Sequence, residues 1–165
     1  MNWRQNKSKI FAGLVIAAIM IGLILRLSVG TLFFWNKTNS APHGLYVRLL
    51  QAPLEKSDYV IVRLPVDVPT LGVQEGFLLL KEVAGLPGDS YTVEKDALIF
   101  QGRRYPIYRT DDLPQLPTGT YQVPEAAYLL LNAPDSSFDS RYLGPMAADR
   151  IVCRVGLLLR TDGWW

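Results

Sequence analysis

The stretch FLLLKEVAGLPGD, Phe77–Asp89, decides how the rest of the chain is read. Its apolar run from Phe77 to Val83 is broken only at Lys81 and Glu82, and it stops at Leu86-Pro87-Gly88-Asp89. A run that short, closed by a turn signal, predicts a strand rather than a helix. Pro87-Gly88 suits the two central positions of a type II turn, and Asp89 is placed to cap it. The same pattern recurs outward along the chain at Tyr59–Leu64, Ala97–Phe100, Ala127–Leu131 and Ile151–Leu159, and Leu45–Leu49 follows a turn in the same way. Eleven prolines, all after residue 41, disfavour long helices there. Val66–Gly72 and Asp111–Gly119 read as surface loops, and Pro145–Arg150 as a single short turn. Together these predict one mainly-β domain over residues 31–165, large enough to bury a core without disulfides.

The N-terminal segment is of another kind. Ile10 to Leu25 carries no charge, and Leu27–Gly30 continues it past Arg26. At ~1.5 Å per residue, residues 10–30 reach about 31 Å, the thickness of a hydrocarbon core. A helix apolar on every face needs lipid or a large core, and a chain of 165 residues does not supply that core. The sequence thus predicts a short cytoplasmic N-terminus (1–9), a transmembrane signal anchor (10–30) and an exported domain. Arg4, Lys7 and Lys9 precede the span with no acidic residue among them, which sets a cytoplasmic N-terminus. Arg26 is expected to snorkel to the headgroups at the far end. Phe33, Phe34 and Trp35 are expected at the interface, with Trp164-Trp165 as a further candidate contact. The competing reading is a cleaved secretory signal ending at Ser28-Val29-Gly30, but the apolar stretch exceeds the usual length of such a signal.

Composition removes several function classes. The formal charge of +2 comes from 17 basic against 15 acidic residues, and Arg4, Lys7, Lys9 and Arg26 leave the remainder slightly acidic. No domain-wide basic field for nucleic acid remains. One cysteine, Cys153, excludes an intrachain disulfide and a cysteine-based metal cluster. One histidine, His43, excludes a multi-histidine metal site, so neither metal nor cofactor is expected.

Three stretches stand out chemically. Asn36–Tyr46, NKTNSAPHGLY, is by itself a turn leading into a strand. Leu78–Asp89 places Lys81 inside an apolar run. The bland reading is a lysine snorkelling to water; the sharper one is a buried amine, whose pKa falls well below its usual value. Asn132–Gly144 is dense in Asp, Ser and Arg and by itself reads as a polar loop with Asp–Arg pairing.

Taken together the three resemble the signal peptidase I serine proteases, which use a Ser–Lys dyad. KEVAGLPGD, residues 81–89, looks like that family's lysine box, and SFDSRYLG, residues 137–144, resembles its last box. The serine box, with proline two residues after Ser40 and then Gly44 and Leu45-Tyr46, is similar to the TraF-like peptidases of conjugative transfer systems rather than to the housekeeping enzymes. Housekeeping members carry G-D-N-R before the last box, where this chain has Leu131-Asn132-Ala133-Pro134, and a basic residue after the lysine, where it has Glu82.

The resemblance implies a signal-peptidase-like fold of short antiparallel strands behind one transmembrane helix. It implies Ser40 as nucleophile and Lys81 as general base, since a serine hydroxyl needs a partner to take its proton. It implies an oxyanion hole made by the Ser40 backbone N–H and the Thr38 hydroxyl. Ser137 is placed like the serine that hydrogen-bonds the lysine amine, and Asp139 and Arg141 like the paired supports of the last box, with a more direct role for Asp139 as the alternative in the TraF-like branch. Leu78–Leu80 and Val83 are candidate walls around the amine. Ser40 lies ten residues past Gly30, so at most about 35 Å of chain separates it from the membrane surface.

The implied protein is therefore a bacterial inner-membrane enzyme with a periplasmic catalytic domain. Its partners would be membrane lipid and a precursor substrate, with neither nucleic acid nor a cofactor. The precursor would be pilin-like, with small side chains beside the scissile bond. Two rivals stand beside it: a general type I signal peptidase acting on many preproteins, and a non-catalytic anchored assembly factor. A Ser-His-Asp triad through His43 is the chemical rival, but His43 lies three residues from Ser40 on the same tight segment, a poor geometry for a general base.

Overall fold

In the computed structural model the described residues are 3–161, with side chains described outside residues 3–6, 8 and 25–29. Trp164-Trp165 and the side chains of Arg4, Arg26 and Ser28-Val29 lie outside the described residues. The chain divides into two compact units, Met1–Phe34 and Trp35–Trp165.

The first unit is dominated by helix α1, Trp3–Val29. Ile10, Phe11, Leu14, Ile16, Ile19 and Ile24 each leave more than half their surface exposed, so the apolar side chains point to all sides. Such a helix has no single stripe to bury against a core. Among the described residues no helix is long and apolar enough to cross a membrane. The uncharged run with described side chains closes at Ile24, short of the ~20 residues a crossing needs. The expected transmembrane helix over residues 10–30 is to that extent unsupported.

The second unit is mainly β. Strands β1 (Phe33–Asn36), β2 (Gly44–Arg48), β3 (Tyr59–Arg63), β4 (Leu78–Gly85), β9 (Ala127–Leu130), β10 (Met146–Ala147) and β11 (Ile151–Arg160) form one sheet in the order β1-β2-β11-β3-β4-β9-β10. Strands β5 (Ser90–Val93), β6 (Ala97–Phe100), β7 (Arg103–Pro106) and β8 (Gly119–Gln122) form a second, in the order β7-β6-β5-β8. The pairings of β11 with β2 and β3, of β3 with β4, and of β4 with β9 are all antiparallel. The mainly-β antiparallel expectation holds for this unit.

Period-2 alternation explains where the core sits. Leu129 and Leu131 pack into a cluster with Tyr91, Leu98 and Phe100 of the smaller sheet and with Tyr142. Leu130, between them, packs with Val60, Val62, Val83 and Met146. The run Ala127–Leu131 thus buries both faces, which is why it carries no polar alternation. Gly85 lies where the β4–β9 register shifts, and a Cβ there would come within 3.0 Å of Leu129 Cβ. The turn after β4 is the expected one. Gly88 takes a φ of 85°, Asp89 N donates to Leu86 O at 3.1 Å, and the Asp89 carboxylate accepts from Leu86 N at 2.8 Å.

Differences from expectation are local. Ser90–Val93, Arg103–Pro106 and Gly119–Gln122 are strands that their polar, short sequences did not announce. The Pro145–Arg150 turn contains a two-residue strand before its 3-10 turn, Ala148–Arg150. Asn132–Gly144, expected as a polar loop with Asp–Arg pairing, has that pairing but folds inward: Asn132, Ser137, Asp139, Ser140 and Arg141 are all buried, and Ser140–Leu143 forms a short helix, α2.

Candidate active site

Ser40 sits on the segment joining β1 to β2, and a single side chain shapes that segment. The Asn36 amide nitrogen donates to the carbonyls of Thr38, Ala41 and Pro42 at 3.0–3.1 Å. Its oxygen accepts from the Thr38 backbone N–H at 3.1 Å and from the Thr38 hydroxyl at 2.8 Å. A buried asparagine that satisfies both halves of its amide fixes the loop around it. Ser40 Oγ lies 3.0 Å from Thr38 Oγ1. Because the one Thr38 hydroxyl proton is directed to Asn36, Ser40 is the donor in that contact. His43 does not reach Ser40; its Nε2 lies 2.8 Å from Asn39 Oδ1.

Lys81 is placed by β4, opposite Val60 of β3. It is 4% exposed, and its amine donates to Ser137 Oγ at 3.0 Å. Burial pushes the amine down, Asp139 pulls it partly back up and Arg141 adds to the fall, which leaves it at about 8. Desolvation dominates because an ammonium removed from water loses hydration that one hydroxyl does not replace. Of the expected walls, Val83 and Leu79 belong to the apolar cluster around Val60, whereas Leu78 is exposed.

The last segment is held by an ion pair. Arg141 Nε lies 2.9 Å from Asp139 Oδ1, with neither side chain exposed. Arg141 also donates to Asp139 Oδ2, to Asn132 O at 2.8 Å and to Asp135 O at 3.0 Å. Asp139 in turn accepts from the backbone of Asn132 and of Arg141, capping α2. A buried charge pair of this kind stays folded only when its remaining donors and acceptors are met, as they are here.

The fold thus brings Lys81 to Ser137, Ser40 to Thr38, and Asp139 to Arg141. Among the described residues it makes no hydrogen bond between Ser40 and Lys81. Beside Ser40 opens a cavity of about 380 Å³ lined also by His43, Tyr59, Glu82, Asn132 and Arg160. Burial and the neighbouring Glu82 carboxylate push the Tyr59 phenol up. Among the described residues no cluster of acidic, histidine or cysteine side chains is fit to hold a metal.

Two residues that pattern reading passed over organise the site: Asn36, and Asn132, which bonds to the backbone of β4 at Leu80 and Glu82. Each is an amide directly following an apolar run, Phe33–Trp35 and Ala127–Leu131. That position is a signal for a side chain that substitutes for a strand partner.

Comparison with known proteins bears on what this arrangement belongs to. Residues 7–159 match the family described as signal peptidase, peptidase S26. The plasmid transfer protein TraF of Escherichia coli is 28% identical over 137 residues, 71% of this chain and 77% of that protein. A signal peptidase I from Enterococcus faecalis V583 aligns in structure with a TM-score of 0.41 at 20% identity, over 66% of this chain and 100% of that one. With the match running from α1 through β11, the chain belongs to the signal peptidase family, peptidase S26, and is TraF-like within it.

Proposed function

We propose that this protein is a membrane-anchored serine endopeptidase. In this reading it removes leader sequences from exported membrane precursors, in particular pilin-like components of a conjugative transfer system. The observation that carries the reading is Lys81, a lysine amine held in an apolar setting with its pKa lowered to about 8 and hydrogen-bonded to Ser137. A lysine so placed is neutral in a useful fraction near physiological pH, which a general base requires.

The reaction follows. Ser40 Oγ attacks the scissile carbonyl while its proton passes to Lys81 Nζ. Because Ser40 donates to Thr38 in the resting arrangement, its hydroxyl first turns from Thr38 towards the amine. The tetrahedral oxyanion is met by the Ser40 backbone N–H and by the Thr38 hydroxyl, which swings away from Asn36 to donate. Collapse breaks the C–N bond, and Lys81 returns the proton to the leaving amine. Water, deprotonated by Lys81, then attacks the Ser40 ester, releasing the new carboxylate and restoring the serine. Ser137 orients the amine, and the Asp139–Arg141 pair holds Ser137's segment in place.

Helix α1 serves as the anchor, with the N-terminus in the cytoplasm and the β unit outside. Its apolar side chains exposed on all sides support this, as does the sequence, which resumes without a charge after Arg26 as far as Gly30. The cavity beside Ser40 receives the residues next to the scissile bond.

The test is incubation of the full chain in detergent with a co-encoded prepilin and with an unrelated exported preprotein. Cleavage confined to the prepilin supports the reading. Equal cleavage of both, with rescue of a strain depleted of its housekeeping enzyme, points to a general signal peptidase. Cleavage of neither by folded protein favours a non-catalytic assembly factor.

A further inference from the structure

The β4–β9 ladder ends beside Lys81, and a side chain continues it. Val83 pairs with Leu130, and Leu131 N donates to Glu82 O at 3.0 Å. Beyond Leu131 the chain turns away at Ala133-Pro134. There the Asn132 side chain supplies the missing rung. Its nitrogen donates to Leu80 O at 3.1 Å and its oxygen accepts from Glu82 N at 2.8 Å, one bond on each side of Lys81. The Asn132 backbone is tied in the other direction. Its N–H donates to Asp139 Oδ2 at 3.1 Å, and its carbonyl accepts from Arg141 at 2.8 Å. Asn132 is 2% exposed, and both halves of its amide and of its peptide are engaged.

From this juxtaposition we infer that Asn132 is a positioning residue for the Lys81 amine, linking the peptides that flank the lysine to the Asp139–Arg141 pair. The inference rests on the reading of Lys81 as general base. One edge of residues 80–82 pairs with β3 at Tyr59, Val60 and Ile61; on the β9 side, past the bond from Leu131 N to Glu82 O, it is the Asn132 side chain rather than a strand that holds them. Their backbone sets where the amine sits relative to Ser137. The groups facing the amine are Val60 from β3, Ser137, and the charges of Asp139 and Arg141. Releasing the clamp frees the lysine to move out of its apolar setting towards water, which favours the ammonium form.

The experiment is NMR titration of the full chain in detergent, with lysine labelled at Cε and Lys81 assigned from the Lys81→Met spectrum. Wild type is compared with Asn132→Ala and with the volume-matched Asn132→Leu, each checked for folding by thermal melting. The Lys81 signal is expected to titrate higher by about one unit in both variants, lowering the neutral amine about tenfold at pH 7. Substrate cleavage should show that loss in kcat, with KM within about twofold. A folded variant with wild-type Lys81 titration overturns the inference, as does failure of both variants to fold, which would make Asn132 structural only. Cleavage that survives in Lys81→Met overturns the general-base reading separately, since the titration does not depend on turnover.

Discussion

The Lys81 amine donates to the Ser137 hydroxyl at 3.0 Å, joining two residues 56 positions apart in the chain. The bond brings the lysine strand and the buried Asp139–Arg141 segment to one point. It also gives an otherwise desolvated amine one polar partner, enough to fix its direction without restoring its hydration.

The first consequence concerns pH. The Lys81 pKa is lowered to about 8, so the neutral form required of a base is gained as pH rises through that value. Plots of kcat/KM against pH should climb about tenfold per unit below it and level off above, as for any single essential base. A profile flat from pH 6 to 9 would remove Lys81 from the chemistry.

The same burial bears on stability, with a definite sign. Between about 8 and the usual 10.5 the unfolded chain binds the proton and the folded chain does not, so stability rises with pH across that window. Below it the full cost of a buried ammonium is present, about 3 kcal/mol from the shift. Lys81→Met should therefore raise the melting temperature at pH 7, with the gain shrinking by pH 10. Scanning calorimetry at both pH values measures it.

Breaking the ion pair should act mainly on folding. Arg141→Ala leaves the Asp139 carboxylate buried without its partner, and such losses cost about 3–5 kcal/mol. Urea unfolding followed by tryptophan fluorescence should show a loss of that order. A variant within 1 kcal/mol of wild type would mean that water reaches the site.

Thr38 makes a different prediction. It is the contact partner of Ser40 and the side-chain donor assigned to the oxyanion. Thr38→Val keeps the shape and removes the hydroxyl, so kcat should fall about 10²–10³-fold with KM little changed. An unchanged kcat would leave the oxyanion to backbone donors alone.

Much of this was legible in the sequence, and the limits have physical causes. Apolar runs such as Tyr59–Leu64 and Ala127–Leu131 announced central strands because both their faces are buried. Arg103–Pro106 and Gly119–Gln122 did not, because edge strands with exposed residues carry little apolar pattern. Asn132–Arg141 was legible in part: the Asp–Arg pairing is there as Asp139–Arg141, but the pair is buried where a polar loop was expected, since each charge finds its partner within the segment. Asn36 and Asn132 stayed unseen because an amide's role depends on which backbone groups it meets, and no local spacing encodes that.

The central claim is that Ser40 is the nucleophile. Its most direct test is mass spectrometry of a co-encoded prepilin incubated with wild type and with Ser40→Ala, each folded in detergent. The account predicts a discrete cleaved product with wild type and intact precursor with Ser40→Ala. The same product at a comparable rate with Ser40→Ala would contradict it.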